Sequence, residues 1–482
     1  MSLIARSGHL PQYHNGKGLW GFGMDSFQYH DIAVIGAQKI AAGEYSFFLK
    51  LDNENTPHTK LITTAYYLFG ADPFSFEPVN ALTWALSVFM VYLTAKTLFG
   101  EGSKAPWLAG LLYGLFPSNL ALSTQLMKDP IFNLACLLIV YGCARLITGK
   151  GKAAPSALSF IGLALAVVTR VQAAPFLLAA ILISTMICAF KKREVLIYSA
   201  SASILSIGLV MFSMKAAEPE DKPRVKFATA QEYYSYFDKK QERLNKENAE
   251  IEHVKKALPL ITGAPDKEDL GRKIDKWFEP GVAPWKTFEE RKRVLLDLAE
   301  VHGQNLPGFL EQWNRPWEES RLLPSSLDHA LRIANSARDN FVSYYVKTSG
   351  SLMDGDVIFR SAGEMMAYIP RSVEIGFFAP FPTMWFDKGQ TGGKMARAVG
   401  AFEILIWYGL YAAFAWFLLK SRQPVEIKLW LALFCLITII PLGVLTPNIG
   451  TLHRLRHVYL APVLIGGLEG LRLIFASRRK SA

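Results

Sequence analysis

Long apolar runs constrain the fold of this chain more than any other feature of its sequence. A helix that crosses a bilayer needs about 20 apolar residues, and eight runs approach or exceed that length. They lie at about 80–98, 106–122, 130–147, 157–190, 196–213, 398–419, 428–446 and 458–475. Because a helix satisfies every backbone polar group within its own segment, these runs predict an all-α polytopic membrane protein.

Basic residues beside these runs indicate their orientation. The net charge is +11, and much of the excess lies in four clusters: Lys150 and Lys152, Lys191–Arg193, Lys420 and Arg422, and Arg478–Lys480. Such clusters are typical of cytoplasmic loops and are also attracted by anionic lipid, so we expect no nucleic-acid partner.

One run is too long for a single crossing. The run 157–190 has basic clusters at both ends, so both ends are expected in the cytoplasm. We therefore predict a helical hairpin with Arg170 near its outer turn, and about nine transmembrane helices in all.

This topology divides the chain into four parts. The first extracytoplasmic loop region is 1–79, and the N-terminal transmembrane module is 80–214. An extracytoplasmic helical domain with an interfacial segment follows at 215–397, and the C-terminal transmembrane helices occupy 398–482. Because residues 1–18 lack the apolar stretch of a signal peptide, the topology predicts either a further helix ahead of residue 1 or an outward N-terminus.

The region 215–345 is charged and reads as helical. Capping-box patterns occur at Thr287–Glu290 and Ser325–Asp328, where each precedes an amphipathic stretch. The region could be a helical cap over the membrane domain, or a carbohydrate-binding or partner module. Three shorter segments share its compartment: Ser123–Pro130, Tyr368–Asp387 and Thr446–His457.

The stretch Met24–Tyr45 predicts a short amphipathic helix that ends at a glycine. Near its start it presents Asp25, Tyr29 and His30. Asp25 could deprotonate an acceptor hydroxyl as a general base. It could equally bind a divalent cation, or Asp25 or Ser26 could simply cap the helix.

A second pair of charges, Lys128 and Asp129, precedes the apolar run 130–147. Lys128 could neutralise a lipid-linked phosphate, and Asp129 could share a metal or position an acceptor. Alternatively, Asp129 before a proline only begins the helix. Arg170 is either functional or paired, as buried membrane charges usually are, or it extends to the membrane surface.

The densest cationic cluster lies in the outer segment before the last run. It consists of His453, Arg454, Arg456 and His457. Arginine binds phosphate oxygens bidentately, and the positive-inside rule does not place such a cluster on the outer face. These residues therefore indicate anion binding, to which Arg360 and Arg371 could add.

Several motifs are absent from the sequence. It contains no P-loop, dinucleotide-binding glycine pattern, HExxH, CxxC or GxSxG. Its four cysteines lie in apolar runs, so we expect no disulfide and no thiolate metal site. Chemistry driven by cytosolic nucleotides is therefore disfavoured, and a lipid-carried donor at the outer face is favoured.

The arrangement resembles the GT-C superfamily of polyprenyl-phosphate-dependent glycosyltransferases, especially bacterial relatives of the protein mannosyltransferases. Four segments carry the resemblance: GMDSFQYHDIAVIGAQKIAAGEY, TKLITTAYYLFGADPFSFEPVNAL, LFPSNLALSTQLMKDPIFNLACLLIVYG and NIGTLHRLRHVYLAPVLIGG. The first is similar to the family's first outer loop, and the third to the passage around its second outer loop.

The resemblance implies an enzyme of the bacterial inner membrane whose active face is extracytoplasmic. It would transfer a sugar from a polyprenyl-phosphate carrier to a glycan or protein acceptor, in cell-surface glycan or polysaccharide biosynthesis. The family's catalytic acid would correspond to Asp25, and the acid of its second outer loop to Asp129. The substrate-binding residues would be Tyr29, His30, Lys128, Arg170, His453, Arg454 and Arg456. No adjacent acidic pair follows Asp25, which leaves a divalent cation open.

Two other readings remain. A polysaccharide polymerase or ligase of the O-antigen type would depend on His453, Arg454 and Arg456 and not on Asp25. A non-enzymatic component of a glycan assembly pathway would depend on none of these residues.

Overall fold

The computed structural model describes residues 18–20, 24–45, 56–100, 102–191, 193–216, 230–279, 287–345, 352–386 and 393–481. Apart from isolated β-bridges, the regular structure of these residues is helical. The chain forms two compact units. The membrane unit comprises Met1–Ala217, Val373–Leu442 and Thr451–Ala482, and the polar unit comprises Glu218–Ser372 and Gly443–Gly450. The predicted all-α class is confirmed.

In the first part of the membrane unit, the residues that the structure describes form nine α-helices. They are α1 Met24–Ala41, α2 Pro57–Phe69, α3 Glu77–Phe99, α4 Ala105–Leu115, α5 Pro117–Leu122, α6 Asp129–Thr148, α7 Ala153–Arg170, α8 Ala174–Lys191 and α9 Arg193–Ala216. The predicted helix in Met24–Tyr45 is therefore present as α1, and Gly43 follows its end with a φ of +82°, which favours glycine.

The remaining helices follow in chain order. They are α10 Ala230–Thr262, α11 Lys267–Phe278, α12 Phe288–His302, α13 Leu306–Asn314, α14 Ser325–Tyr345, α15 Ala362–Ala367, α16 Ile369–Phe378, α17 Gly393–Lys420, α18 Val425–Leu445, α19 Ile449–Tyr459 and α20 Ala461–Ser481. Helices α10 to α15 belong to the polar unit, and α17 and α20 to the membrane unit.

The protein is a multi-pass membrane protein. The described residues contain five helical segments that are long and apolar enough to cross a membrane, or six if the bent pair α19 and α20 forms one span. One of the five, Ala153–Phe190, contains both α7 and α8, so this number does not test the predicted count of about nine crossings, which stays a prediction. The run 106–122 is divided because the chain leaves the helical conformation at Phe116 and Pro117 begins α5. The resulting α4 has only 11 residues, and the apolar part of α9, Leu196–Met211, is also short.

The run 157–190 folds as the predicted hairpin. Arg170 leaves the helical conformation with φ −150° and ψ 76°, and a 3₁₀ turn at Val171–Ala173 separates α7 from α8. On α6, the Cys143 thiol lies 3.8 Å from the Ser159 hydroxyl of α7 and also lies beside the Ser184 side chain of α8. Only a chain that reverses direction brings both arms beside one thiol.

Glycine allows α6 and α7 to approach each other closely. A Cβ atom on Gly162 of α7 would lie 2.6 Å from the carbonyl oxygen of Ala135. A Cβ atom on Gly142 of α6 would lie 2.6 Å from the carbonyl oxygen of Pro155. Because transmembrane helices associate largely through close packing of small residues, these two contacts hold the first half of the membrane unit together.

In the polar unit, the two predicted capping boxes have different outcomes. The Thr287 box is confirmed, since the Thr287 side chain accepts from the Glu290 amide and the Glu290 carboxylate accepts from the Thr287 amide. The Asp328 box is wrong. The Asp328 carboxylate accepts instead from the Trp317 indole at 2.8 Å and the Ser320 amide at 3.1 Å.

We predict that Gly162→Ala destabilises the protein by about 1–3 kcal/mol, because the added methyl group would overlap a backbone carbonyl that cannot move aside. Thermal unfolding of the purified protein in detergent would measure the change. The matched control is Gly409→Ala in α17, where a Cβ atom meets nothing within 4 Å. Equal melting temperatures for wild type and Gly162→Ala would contradict this account of the packing.

Candidate functional site

Hydrogen bonds fix the loop that precedes α6. The Trp20 amide donates to the Gln125 side-chain oxygen at 2.9 Å, and the Asn80 amide group donates to the Gln125 carbonyl at 2.6 Å. The His58 Nε2 donates to the Leu126 carbonyl at 3.3 Å. These partners come from three separate parts of the chain, so the start of α6 is held in one position.

Asp129, the first residue of α6, is buried in an ion-pair network. Its Oδ1 lies 3.1 Å from Arg170 Nη2 and 3.4 Å from Arg454 Nε. Its Oδ2 is buried and has no hydrogen-bond partner among the described residues. A buried carboxylate requires such pairing because burial of an isolated charge is very costly. Asp129 therefore does more than begin a helix.

Asp25 is joined to the same network from the first outer loop region. Arg454 Nη2 lies 3.3 Å from Asp25 Oδ2, so one guanidinium contacts both carboxylates. The Asp25 side chain remains 42% exposed, whereas that of Asp129 is 2% exposed. Asp25 lies within the first turn of α1, after Met24. The structure thus brings together three predicted residues from α1, α6 and α19.

Tyr29 and His30 line the adjoining surface of α1. Burial, followed by the Asp25 charge, raises the pKa of Tyr29 to about 12, so the phenol stays protonated at neutral pH. The Tyr29 ring meets the His58 ring edge to face, with centroids 5.2 Å apart. His30 Nδ1 lies 2.8 Å from the Tyr66 hydroxyl. Both predicted residues therefore neighbour the site, and Tyr29 is the nearer to its charges.

Lys128 precedes Asp129 as the N-cap residue of α6 and is partly buried. Burial and the positive charge of Arg170 lower the pKa of Lys128, while Asp129 and Asp25 raise it. The amine therefore belongs electrostatically to the same cluster. Counted together, the cations Lys128, Arg170 and Arg454 exceed the two carboxylates by one charge.

Another face of α19 carries the rest of the predicted cationic cluster, His453, Arg456 and His457, and this face contacts protein groups. Arg456 is fully buried and donates to the carbonyl oxygens of Gly376, Phe377 and Ala379. Its Nη2 also donates to His453 Nδ1 at 2.7 Å. Both ring nitrogens of His453 and both Nη atoms of Arg456 are therefore held by protein groups, whereas Arg456 Nε has no hydrogen-bond partner among the described residues. These contacts do not favour the prediction that the two residues bind a donor phosphate.

Glu403 of α17 contacts this face of α19. The sequence analysis did not predict a role for Glu403. Its carboxylate is fully buried and accepts from the Ser118 amide and hydroxyl, each at 2.5 Å. It also lies 2.7 Å from His453 Nε2 and 3.3 Å from His457 Nε2. A signal was present, because Glu403 is an isolated acid inside an apolar run, where charges are rarely unpaired.

Neither cluster fits a divalent cation. The ligand atoms of Glu403, His453 and His457 lie within 4.8 Å of one another. The Arg456 guanidinium beside His453 Nδ1 can only donate, so the imidazole proton resides on Nε2, where a metal would bind. At the other cluster, Arg454 already occupies the space between the two carboxylates.

Arg360 and Arg371 are engaged within the polar unit. Arg360 pairs with Asp339 at 2.9 Å and donates to the Trp313 carbonyl at 2.8 Å. Arg371 pairs with Asp354 at 2.9 Å. Their predicted contribution to an anion site is therefore not supported by their contacts.

The comparison with known families covers part of this site. Residues 58–216 match the sequence model of the family described as dolichyl-phosphate-mannose-protein mannosyltransferase. This segment is about a third of the chain and includes Lys128, Asp129 and Arg170, whereas Asp25 and Arg454 lie outside it. No curated protein and no solved structure matches the chain.

The match and the fold together define the class of protein. The chain is a membrane glycosyltransferase of the GT-C superfamily, and its sugar donor is lipid-linked. The resemblance to polyprenyl-phosphate-dependent glycosyltransferases is thereby confirmed at the level of the superfamily.

The two carboxylates should differ in their importance for folding. We predict that Asp129→Asn destabilises the protein by about 3–5 kcal/mol, because it removes the carboxylate paired with the buried Arg170 and one of the two carboxylates that contact Arg454. Asp25→Asn should change stability by less than about 1 kcal/mol, since the Asp25 side chain is 42% exposed. Thermal unfolding of both variants measures the difference, and equal losses would refute the assignment of Asp129 as the buried anchor.

His58 should make stability depend on pH. Burial lowers the pKa of His58 to about 4 in the folded protein, against about 6.5 in the unfolded chain. The unfolded state therefore binds more protons between these values, and stability falls as the pH is lowered from 6.5 to 4, by on the order of 3 kcal/mol.

The control for this dependence is His58→Asn, whose amide can still donate to the Leu126 carbonyl. Melting temperatures of wild type and His58→Asn are measured from pH 7 to pH 4, and that of wild type should fall steadily relative to that of His58→Asn below about pH 6.5, because only wild type carries the titrating imidazole. A constant difference across this range would show that His58 does not titrate on unfolding.

Proposed function

We propose that this glycosyltransferase transfers a sugar from a polyprenyl-phosphate carrier to an acceptor hydroxyl at the extracytoplasmic face of a bacterial inner membrane, in the biosynthesis of cell-surface glycans. The observation that carries the proposal is the contact of Arg454 with both Asp25 and Asp129. It places a solvent-accessible carboxylate beside a cluster with an excess of positive charge. The family description suggests mannose as the first sugar to test.

The proposed reaction is a displacement at the anomeric carbon. The acceptor oxygen forms a bond to that carbon as the bond between the carbon and the phosphate oxygen breaks. The proton of the acceptor hydroxyl passes to Asp25, and the electron pair of the broken bond leaves with polyprenyl phosphate. The site must therefore supply a base on one side and positive charge on the other.

Asp25 is the better candidate for the base. Its side chain is 42% exposed, so an acceptor can approach it. Asp129 is nearly inaccessible, and its Oδ1 already faces two arginines. We assign Asp129 to positioning, because it holds Arg170 and Arg454.

The departing phosphate would be stabilised by Arg454 together with Lys128. Arg454 has a planar fork that suits phosphate oxygens, and Lys128 adds a charge at the start of α6. Arg170 contributes mainly through the field of the cluster, because its side chain is 9% exposed and paired with Asp129. This set differs from the one predicted from sequence by the loss of Arg456 and His453.

The position of Arg454 also favours a reaction without a divalent cation. A metal bridging two carboxylates would neutralise their charge and attract the donor phosphate. Here the guanidinium contacts both carboxylates and supplies that charge itself.

The outer location rests on the topology. The site lies at the N-terminal end of α6, whereas Lys150 and Lys152 follow its C-terminal end. The positive-inside rule places those lysines in the cytoplasm and the site on the opposite side.

The polymerase or ligase alternative receives less support. It depends on His453, Arg454 and Arg456, and two of these three are held elsewhere: His453 lies 2.7 Å from Glu403, and Arg456 Nη1 donates to backbone carbonyls. A reaction through these two residues would require the buried face of α19 to open.

We expect Asp25→Asn to reduce transfer from polyprenyl-phosphate mannose by about 10²–10⁴-fold while the fold stays intact, because the amide cannot accept the proton. The matched control is Asp31→Asn, on the same helix at an exposed position, which should retain full activity. Release of polyprenyl phosphate in the presence of membrane-derived acceptors provides the assay.

Two further measurements separate the other roles. In a binding assay, Arg454→Gln should weaken binding of polyprenyl phosphate, whereas Asp25→Asn should not. In the release assay, a chelator should leave the rate unchanged. Full activity of Asp25→Asn would eliminate Asp25 as the base, and loss of activity with a chelator would eliminate the metal-independent mechanism.

A further inference from the structure

Glu403, on α17, is a buried acid that has no part in the reaction proposed above. Its side chain is fully buried, and it lies outside the residues 58–216 that match the family model. A carboxylate inside an apolar helix is costly unless protein groups compensate its charge. Its partners therefore indicate what it does.

Two of the donors to Glu403 come from α5. The Ser118 amide and hydroxyl donate to the two carboxylate oxygens, each at 2.5 Å. The next residue, Asn119, is in turn bound by Asn133 of α6, whose side-chain amide donates to the Asn119 side-chain oxygen at 3.3 Å. The carboxylate is thus fixed with respect to α6, the helix that begins at Asp129.

The other partners of Glu403 belong to α19. His453 Nε2 lies 2.7 Å and His457 Nε2 lies 3.3 Å from the same carboxylate oxygen. His453 donates this hydrogen bond, because its Nδ1 accepts from Arg456 Nη2 at 2.7 Å and the ring proton therefore resides on Nε2. The carboxylate holds one side of α19 over a full turn.

Arg454 extends from the position after His453 on the same helix. Its guanidinium lies 3.3 Å from Asp25 and 3.4 Å from Asp129. Successive residues of a helix are about 100° apart around the axis, so the rotation of α19 that allows His453 to reach Glu403 also sets the direction of Arg454.

A small rotation of α19 would displace Arg454 appreciably. A helix with its side chains has a radius of about 5–6 Å, so a rotation of about 10° moves the guanidinium by roughly 1 Å. The Arg454 side chain is 18% exposed and lies against two carboxylates, which limits its freedom to compensate. A misplacement of about 1 Å can reduce a rate by about 10²-fold.

We propose that Glu403 is a positioning residue of this glycosyltransferase, which orients α19 so that Arg454 meets the phosphate of the lipid-linked donor. Glu403 acts through His453 and the helix, without touching the donor. Because Ser118 refers the carboxylate to α6, Glu403 brings Arg454 into register with Asp129. This inference rests on the proposed role of Arg454 in binding the donor phosphate.

The experiment compares variants of the full-length protein by their affinity for polyprenyl phosphate. A glutamine at position 403 has one acceptor oxygen where glutamate has two, so either the Ser118 amide or His453 loses its acceptor. We expect Arg454→Gln to lose about 10–100-fold of the affinity, as a charge-assisted hydrogen bond contributes. Glu403→Gln should lose about 10-fold, since it displaces the guanidinium but does not remove it.

The matched control is Glu469→Gln in α20. Glu469 is likewise a buried acid of the membrane unit, and Arg472 of its own helix donates to it at 2.8 Å. We expect this control to bind polyprenyl phosphate as wild type does. The double variant Glu403→Gln/Arg454→Gln should bind as weakly as Arg454→Gln alone, because a positioning residue contributes nothing once the residue that it positions is removed.

A kinetic readout separates positioning from a general loss of structure. In the release assay, the KM for polyprenyl-phosphate mannose should rise in Glu403→Gln, whereas the KM for the acceptor should not change, because the acceptor is proposed to bind beside Asp25 on α1. Partial unfolding would instead lower the rate at every concentration and leave both KM values unchanged, and this result would overturn the proposal.

The binding measurements distinguish failure of this inference from failure of the proposed function. Wild-type affinity in Glu403→Gln, equal losses in Glu403→Gln and Glu469→Gln, or losses that add in the double variant would each overturn the positioning role alone. Wild-type affinity in Arg454→Gln would overturn the proposed function and this inference with it.

If Glu403→Gln does not fold, Ser118→Ala decides. It removes one donor and keeps the charge of Glu403 and the contacts with α19. We expect a loss of affinity of up to about 10-fold, the contribution of one hydrogen bond, and no further loss when Ser118→Ala is combined with Arg454→Gln. Unchanged affinity in Ser118→Ala would refute the proposal.

Discussion

The contact of one guanidinium with two carboxylates organises the candidate site of this protein. Arg454 bridges an exposed acid, Asp25, and a buried acid, Asp129. The buried acid in turn holds Arg170 at the turn of the α7–α8 hairpin. Because an unpaired charge in this environment would be very costly, each member of the network requires the others. The network therefore links α1, α6, α7 and α19 and determines which carboxylate remains available for chemistry.

Helix α19 can present Arg454 in this way because its other face is fixed. Its residues His453, Arg456 and His457 recur at intervals of three and four and share one side of the helix. That side meets Glu403 and the carbonyls that end α16. Helical geometry thus divides a basic segment that the sequence suggests is one phosphate-binding patch. His453, Arg456 and His457 contact protein groups on one side of α19. Arg454 alone contacts Asp25 and Asp129.

Positive side chains are also held by protein groups at the other end of α6. Lys150 and Arg145 satisfy the carbonyls at the ends of two helices. Positive residues therefore have local partners at both ends of α6: carboxylates at one end and backbone carbonyls at the other.

The sequence by itself determined the all-α membrane class and the α7–α8 hairpin, because apolar runs and flanking basic residues are local properties of the chain. It also singled out Asp25, Asp129 and Arg454 as unusual near a membrane. Only the tertiary structure showed that these three residues are in contact and which of the two carboxylates is buried. The interactions of Glu403 and His58 are made with partners far away in the chain. The periodicity of a helix indicates which residues share a face, but it does not indicate which neighbouring element that face will contact.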